Sequence, residues 1–176
     1  MLNYAEELEK AMLWIAEQKN SVFLGQGIEY GGIAIAKTFE KIAKEKKMEL
    51  PVAENMQLGI SIGMALDGFI PVSVYPRWNF LLLAADQLVN HLDKLPIITK
   101  GQYKPKVIIR VAVGVKEPVD PQEQHLGDFT VPFSMMLKTI NVVKLTNASQ
   151  IVEEYQKAYL RQDGISTILV EEHQFV

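Results

Sequence analysis

At 176 residues the chain is long enough for one domain that buries about two thirds of the surface its unfolded form exposes. A hydrophobic fraction of 48% and a charged fraction of 22% exclude a disordered chain, and a net charge of -3 with no basic block disfavours nucleic acid as a partner. The absence of cysteine excludes disulfides, thiolate nucleophiles and cysteine-based metal sites. In chain order, Leu8, Ala11, Met12 and Ile15 recur at helical spacing over Tyr4–Gln18, and the apolar run Ser21–Gly25 reads as a buried strand ended by glycine. The alternation continues with a helix around Ile33–Lys44, a short strand near Glu49–Ala53, a helix over Met56–Leu66, a strand over Ile70–Tyr75 and a helix over Phe80–Asp93. A strand over Lys106–Gly114 follows, then a polar loop from about Lys116 to Asp128, a helix over Val131–Lys138, a strand over Asn141–Leu145, a helix over Ser149–Arg161 and a last strand over Ser166–Glu171.

Several of these strands are continuous Val/Ile runs, as expected of strands covered on both faces. The predicted fold is a three-layer α/β/α sandwich around a mostly parallel sheet of about six strands, a single domain over residues 1–176. In such folds ligands bind beyond the carboxyl ends of the strands. That rule directs attention to Gly25–Gly32, Glu54, Tyr75–Phe80 and the loop containing His125. The start of the chain lacks the basic and apolar pattern of a signal peptide, and no uncharged apolar run approaches the roughly 18 residues of a spanning helix. The expectation is a cytoplasmic protein with no membrane partner. Lys41–Lys47 is read as a solvated helix end, because its charges are mixed.

Glu54 opens an apolar helix that carries Gly59 and Gly63 four residues apart. A carboxylate there is expected to be partly buried; burial and the helix N-terminus push its pKa in opposite directions, so the residues alone leave open whether it is functional or an ordinary helix-start acid. Gly59 and Gly63 weaken the helix unless another backbone or chain approaches closely. Tyr75-Pro-Arg-Trp-Asn-Phe80 gathers aromatic side chains that could stack on a planar ring or simply pack the core. His125 sits in the polar loop Asp120–Asp128, where a histidine is either functional or merely exposed. His91 and His173 have no partners at metal-ligand spacing, and no metal site is read. Gly25–Gly32 is glycine-rich but lacks both the Walker lysine and the dinucleotide glycine spacing, so it is a weak phosphate site.

Taken in order, Val22–Gly32, Leu50–Pro71, Trp78–Asn90 and Gln124-His125 resemble the N-terminal, pyrimidine-binding domain of the beta subunit of 2-oxo acid dehydrogenases, and more distantly the middle domain of transketolase. The resemblance implies thiamine diphosphate as cofactor. It implies that Glu54 hydrogen-bonds a ring nitrogen of the aminopyrimidine, favouring the imino tautomer that removes the thiazolium proton. It implies that Phe80 packs against the pyrimidine, with Trp78, Tyr75 and Gln26 around the ring, and that His125 acts in proton transfer or charge stabilisation near the substrate. Two positions depart from the pattern: Gln26-Gly27 stand where the family has acidic residues, and Leu126-Gly127 where it has Ser-Gln. A Gly-Asp-Gly diphosphate motif and a C-terminal domain are also missing from the sequence.

The reading implied is a pyrimidine-binding subunit of a split enzyme that breaks or forms a carbon-carbon bond in a 2-oxo acid or ketose. A partner subunit then holds the diphosphate and Mg2+, in a heterotetramer, or with a homodimer of this chain. A start at Met1 before a plausible first helix favours a natural small subunit over a piece of a longer protein. The competing readings are a binding or regulatory module that keeps the fold without turnover, and an unrelated flavodoxin-like nucleotide binder, which would need a phosphate loop after the first strand.

Overall fold

The structure is a computed structural model that describes residues 2–30, 34–116 and 120–172. His173 and parts of the loops at 31–33 and 117–119 lie outside the described residues. The elements are α1 (Tyr4–Ala16), β1 (Ser21–Gly25), β2 (Lys47–Glu49), α2 (Glu54–Leu66), β3 (Ile70–Tyr75), α3 (Trp78–Leu81), α4 (Leu95–Ile98), β4 (Ile108–Ala112), α5 (Thr130–Met136), β5 (Asn141–Leu145), α6 (Ala148–Leu160) and β6 (Thr167–Glu171). The six strands form one sheet in the order β2-β1-β3-β4-β6-β5, every pair parallel.

Alternate residues of the central strands feed two separate cores. Ile108 and Leu169 face one layer with Leu8, Met12 and Ile15 of α1 and Ile151 and Tyr155 of α6. Ile109, Val111, Ile168 and Val170 face the other, with Leu58 and Ile62 of α2, Trp78, Leu88 and Phe133. This two-sided burial is why the strands read as unbroken apolar runs. The buried face of α1 includes the four residues its spacing picks out, and Asn3 caps it by accepting the Ala5 N–H at 2.9 Å.

Several expected elements have other bounds. The strand at Glu49–Ala53 is instead Lys47–Glu49: Leu50 still gives its N–H to Gly25 of β1, and Pro51, with no N–H to give, ends the pairing. The segment read as a helix at Ile33–Lys44 is described as a 3-10 helix over Ala34–Phe39. The stretch read as one helix at Phe80–Asp93 breaks into α3, a 3-10 turn at Leu82–Ala84 and a π-helix at Gln87–Leu92. The wide turn lets Leu88, Leu92 and Asp93 all face inward, where the Asp93 carboxylate accepts the N–H groups of Lys138 and Thr139 at 2.8 and 2.7 Å. Lys46 is not simply solvated: its ammonium donates to Gln18 O at 2.6 Å, just past the C-terminus of α1, where a cation suits the helix dipole. No helix among the described residues is long and apolar enough to cross a membrane.

Candidate functional site

The carboxyl ends of β1, β2, β3 and β4 open onto one edge of the sheet, and the residues singled out in the sequence follow those ends. Glu54 is the first residue of α2 and is 6% exposed. Its carboxylate accepts a long hydrogen bond, 3.4 Å, from the side-chain amide of Gln26, which follows β1. The first turn of α2 is fixed from beneath by Gln57, whose amide donates to Ser73 Oγ at 3.1 Å, to Val74 O at 3.0 Å and to Leu24 O at 3.4 Å. Tyr75 at the end of β3 donates to the backbone carbonyl of Glu54 at 3.4 Å and accepts from Ser73 at 3.3 Å. Burial pushes the Tyr75 hydroxyl well above its ordinary pKa, so it stays protonated and stays a donor.

The loop carrying Gln26 is held by a residue that sequence reasoning missed. Glu49 ends β2, and its carboxylate accepts the N–H of Gly27 at 2.5 Å and of Glu29 at 2.9 Å. Gly27 has φ +67°, a conformation favoured for glycine, which turns its N–H toward that carboxylate. Gln57 was missed too; its signal is an amide side chain one helical turn after Glu54 in an otherwise apolar segment.

A second group lies beyond β3 and β4. The half-buried ring of Phe80 meets the imidazole of His125 with centroids 5.2 Å apart and planes at 38°. Nδ1 of His125 is enclosed and has no hydrogen-bond partner among the described residues. The loop reaches this place because residue 114 is glycine: a Cβ there would stand 1.8 Å from the carbonyl oxygen of His125. Trp78 is fully enclosed, stacked on Phe133 with centroids 5.1 Å apart and planes at 24°, with its edge toward Phe129. Gln26, Glu54 and Tyr75 are therefore joined by hydrogen bonds, and Phe80 and His125 by their rings. Trp78 packs in the core behind them. His91 is exposed, 3.6 Å from the Asp86 carboxylate.

Among the described residues no three His, Cys, Asp or Glu side chains cluster as a metal site would require. A cavity of about 310 Å³ at the opposite edge, lined by Leu92, Lys104, Lys138 and Ser166 among others, contains none of the residues above.

The fold and this arrangement define a parallel α/β protein whose candidate site combines a buried carboxylate with an aromatic ring at the strand ends. No family model matches the chain. It is 25% identical over 118 residues to the 2-oxoisovalerate dehydrogenase subunit beta of Bacillus subtilis, covering 65% of this chain and 36% of that one. It is 35% identical over 88 residues to the pyruvate dehydrogenase E1 component subunit beta of Chaetosphaeridium globosum, covering 49% and 27%. Among solved structures, a split gene transketolase in an inactive beta4 tetramer superposes with a TM-score of 0.71 at 17% identity, over 97% of this chain and 50% of that chain. The resemblance to 2-oxo acid dehydrogenase beta subunits is thus shown in sequence, and a transketolase-like fold by the split-gene chain. The matched stretch spans about a third of those beta subunits' own length.

Proposed function

We propose that this chain is the aminopyrimidine-binding subunit of a thiamine diphosphate enzyme acting on a 2-oxo acid or ketose, as a single domain over residues 1–176 in the cytoplasm. The observation that carries the reading is Glu54: a carboxylate buried at a helix start, beyond the strand ends, with the Phe80 ring also at that edge. The residues present fit the ring half of the cofactor. Among the described residues only Gln26 donates to the Glu54 carboxylate, so its other oxygen is left to accept a ring N–H. When bound, thiamine diphosphate supplies a nucleophilic carbon and an electron sink for cleaving or forming a bond next to a carbonyl.

The chain's own part is position and proton control. Glu54 holds a proton shared with the ring at its carboxylate, Tyr75 holds the backbone carbonyl of Glu54 and Gln57 ties the first turn of α2 to β1 and β3, and Phe80 sets the plane against which the ring packs. His125, with Nδ1 enclosed, is placed to hold or pass a proton on the substrate side. Diphosphate and Mg2+ are assigned to a partner subunit, in a heterotetramer, or with a homodimer of this chain. The outward face of α2 and the 3-10 turn packed beside it support a partner: Met56 and Leu66 of the helix and Leu82 and Leu83 of the turn are exposed, and nothing lies within 4 Å of the Cβ position at Gly63.

The test is Glu54→Gln in the assembly recovered with its natural partner. Thiamine diphosphate-dependent turnover of a 2-oxo acid is expected to fall by about 10²- to 10⁴-fold with partner binding intact. Near-normal turnover would remove Glu54 from the mechanism. One observation favours the second reading, a non-catalytic binding module: the Gln26 amide already engages the Glu54 carboxylate. A wild-type assembly with no thiamine-dependent rate would select it.

A further inference from the structure

We propose that Arg77 is the substrate-binding residue of this site, its guanidinium taking the carboxylate of a 2-oxo acid. The inference rests on the function proposed above and names the part of the substrate this chain recognises.

The chain has three arginines. Arg110 is paired with Glu171 at 2.6 Å and Arg161 with Asp163 at 2.7 Å. Arg77 meets no carboxylate among the described residues, yet its side chain is half-buried and Nη1 is enclosed without an acceptor. A guanidinium cannot escape this by losing a proton, so an enclosed N–H stays unfavourable until an acceptor arrives. The planar fork takes a carboxylate or a phosphate in two parallel hydrogen bonds.

Its place in the fold selects which acceptor. Arg77 lies two residues beyond β3 in extended conformation, φ -150° and ψ 156°, as the N-cap of α3. Its carbonyl accepts the N–H of Phe80 at 3.0 Å, so one turn carries both residues. Phe80 in turn touches His125. Five buried side-chain polar atoms among the described residues lack a partner, and four of them belong to Arg77, Trp78, Asn79 and His125. Native interiors leave few such groups, so their concentration on one turn and the loop packed against it marks where a polar ligand completes the structure. Trp78 is sealed in the core, which leaves Arg77 Nη1 as a donor, Asn79 Oδ1 as an acceptor and His125 Nδ1 as either. A carboxylate answers the cation, and the adjoining oxo group lies next to a histidine able to give it a proton.

The experiment uses the assembly of the full chain with its natural partner, and compares wild type with Arg77→Met and Arg77→Lys. Oxalate, a non-reacting mimic of the acid end, is titrated against intrinsic tryptophan fluorescence, a readout that needs no turnover. KM and kcat are measured with pyruvate and with 2-oxoisovalerate, thiamine diphosphate affinity by fluorescence quenching, and partner retention by gel filtration. The expected result for Arg77→Met is a rise of about 10- to 100-fold in oxalate Kd and in KM for the acid that wild type uses. Cofactor affinity and partner retention are expected to hold, and Arg77→Lys, which keeps charge without the fork, to recover part of the loss. Unchanged oxalate Kd and KM in a folded Arg77→Met assembly overturn the proposal. Loss of cofactor affinity alone would give Arg77 to the diphosphate, and loss of the partner alone would give it to an acidic residue of that chain; either overturns it. If wild type turns over no 2-oxo acid but Arg77→Met still abolishes oxalate binding, the anion site stands and the catalytic reading falls.

Discussion

Glu49 and Gly27 are bound carboxylate to backbone N–H at 2.5 Å, so the last residue of β2 grips the loop that follows β1. The second oxygen of Glu49 takes the N–H of Glu29 at 2.9 Å, and Leu50 returns its own N–H to Gly25. The edge strand β2, its neighbour β1 and the loop between Gly25 and Tyr30 thereby form one frame, and Gln26 reaches Glu54 from it. Hydrogen bonds to a charged acceptor each contribute about 1.5–3 kcal/mol. Glu49→Ala should free the amides of Gly27 and Glu29 to exchange with solvent at least about tenfold faster, while amides of β3 and β4 stay protected. Hydrogen exchange read residue by residue checks this, and uniform loss of protection would show Glu49 to be a general stability residue.

Gln57 offers a sharper stability test. Its amide is buried, 1% exposed, and serves carbonyls of both β1 and β3 as well as Ser73. Gln57→Leu keeps the volume but strands those acceptors, which costs about 1–3 kcal/mol for buried groups. Urea unfolding should report a midpoint shift at constant slope.

How much of this was legible in the sequence depends on whether a residue's role is periodic. The α1 face was readable because burial there repeats with the period of the helix, and strand β5 has the bounds expected of it, Asn141–Leu145. Glu54, Phe80 and His125 were readable because they follow strand ends, and their roles came from resemblance. Glu49 and Gln57 were not readable, because their partners lie on strands and loops far away in the chain and only the sheet order brings β1 between β2 and β3; nor was the enclosure of Arg77, which the packing of its turn creates. The break of Phe80–Asp93 into three helical types escaped for a similar reason, since Asp93 is drawn inward by N–H groups 45 and 46 residues later.

Two buried tyrosines beside the Arg110–Glu171 pair set the alkaline limit of stability. Glu171 also accepts from Tyr155 at 2.8 Å, and Arg110 donates to Thr38 at 2.7 Å. Burial, then the charge of Glu171, raises the pKa of Tyr155 and of Tyr4 far above the ordinary tyrosine value. A group raised on folding contributes stability that is complete below its unfolded pKa and is lost as pH climbs toward the folded one. Unfolding should therefore become easier above about pH 10, by up to about 1.4 kcal/mol per pH unit for each such tyrosine. Thermal melts at successive pH values check the slope. Glu171→Gln, which leaves Arg110 uncompensated, should destabilise by about 3–5 kcal/mol at pH 7.

Gly114 separates the fold from the site. A methyl group there would stand 1.8 Å from the His125 carbonyl and 2.9 Å from its carbonyl carbon, both backbone atoms that no side-chain rotation can move away. The overlap falls just beyond β4, outside both cores, so the sheet has no need to shift when the loop is displaced. Gly114→Ala should leave the melting temperature within a few degrees of wild type and yet part the Phe80 and His125 rings, which now stand 5.2 Å apart. The ring-current shift that Phe80 imposes on the His125 imidazole protons reports that separation directly. Its loss with an intact melt would show the pairing to be set by the glycine, and an unchanged shift would mean the loop can yield elsewhere and keep the histidine in place.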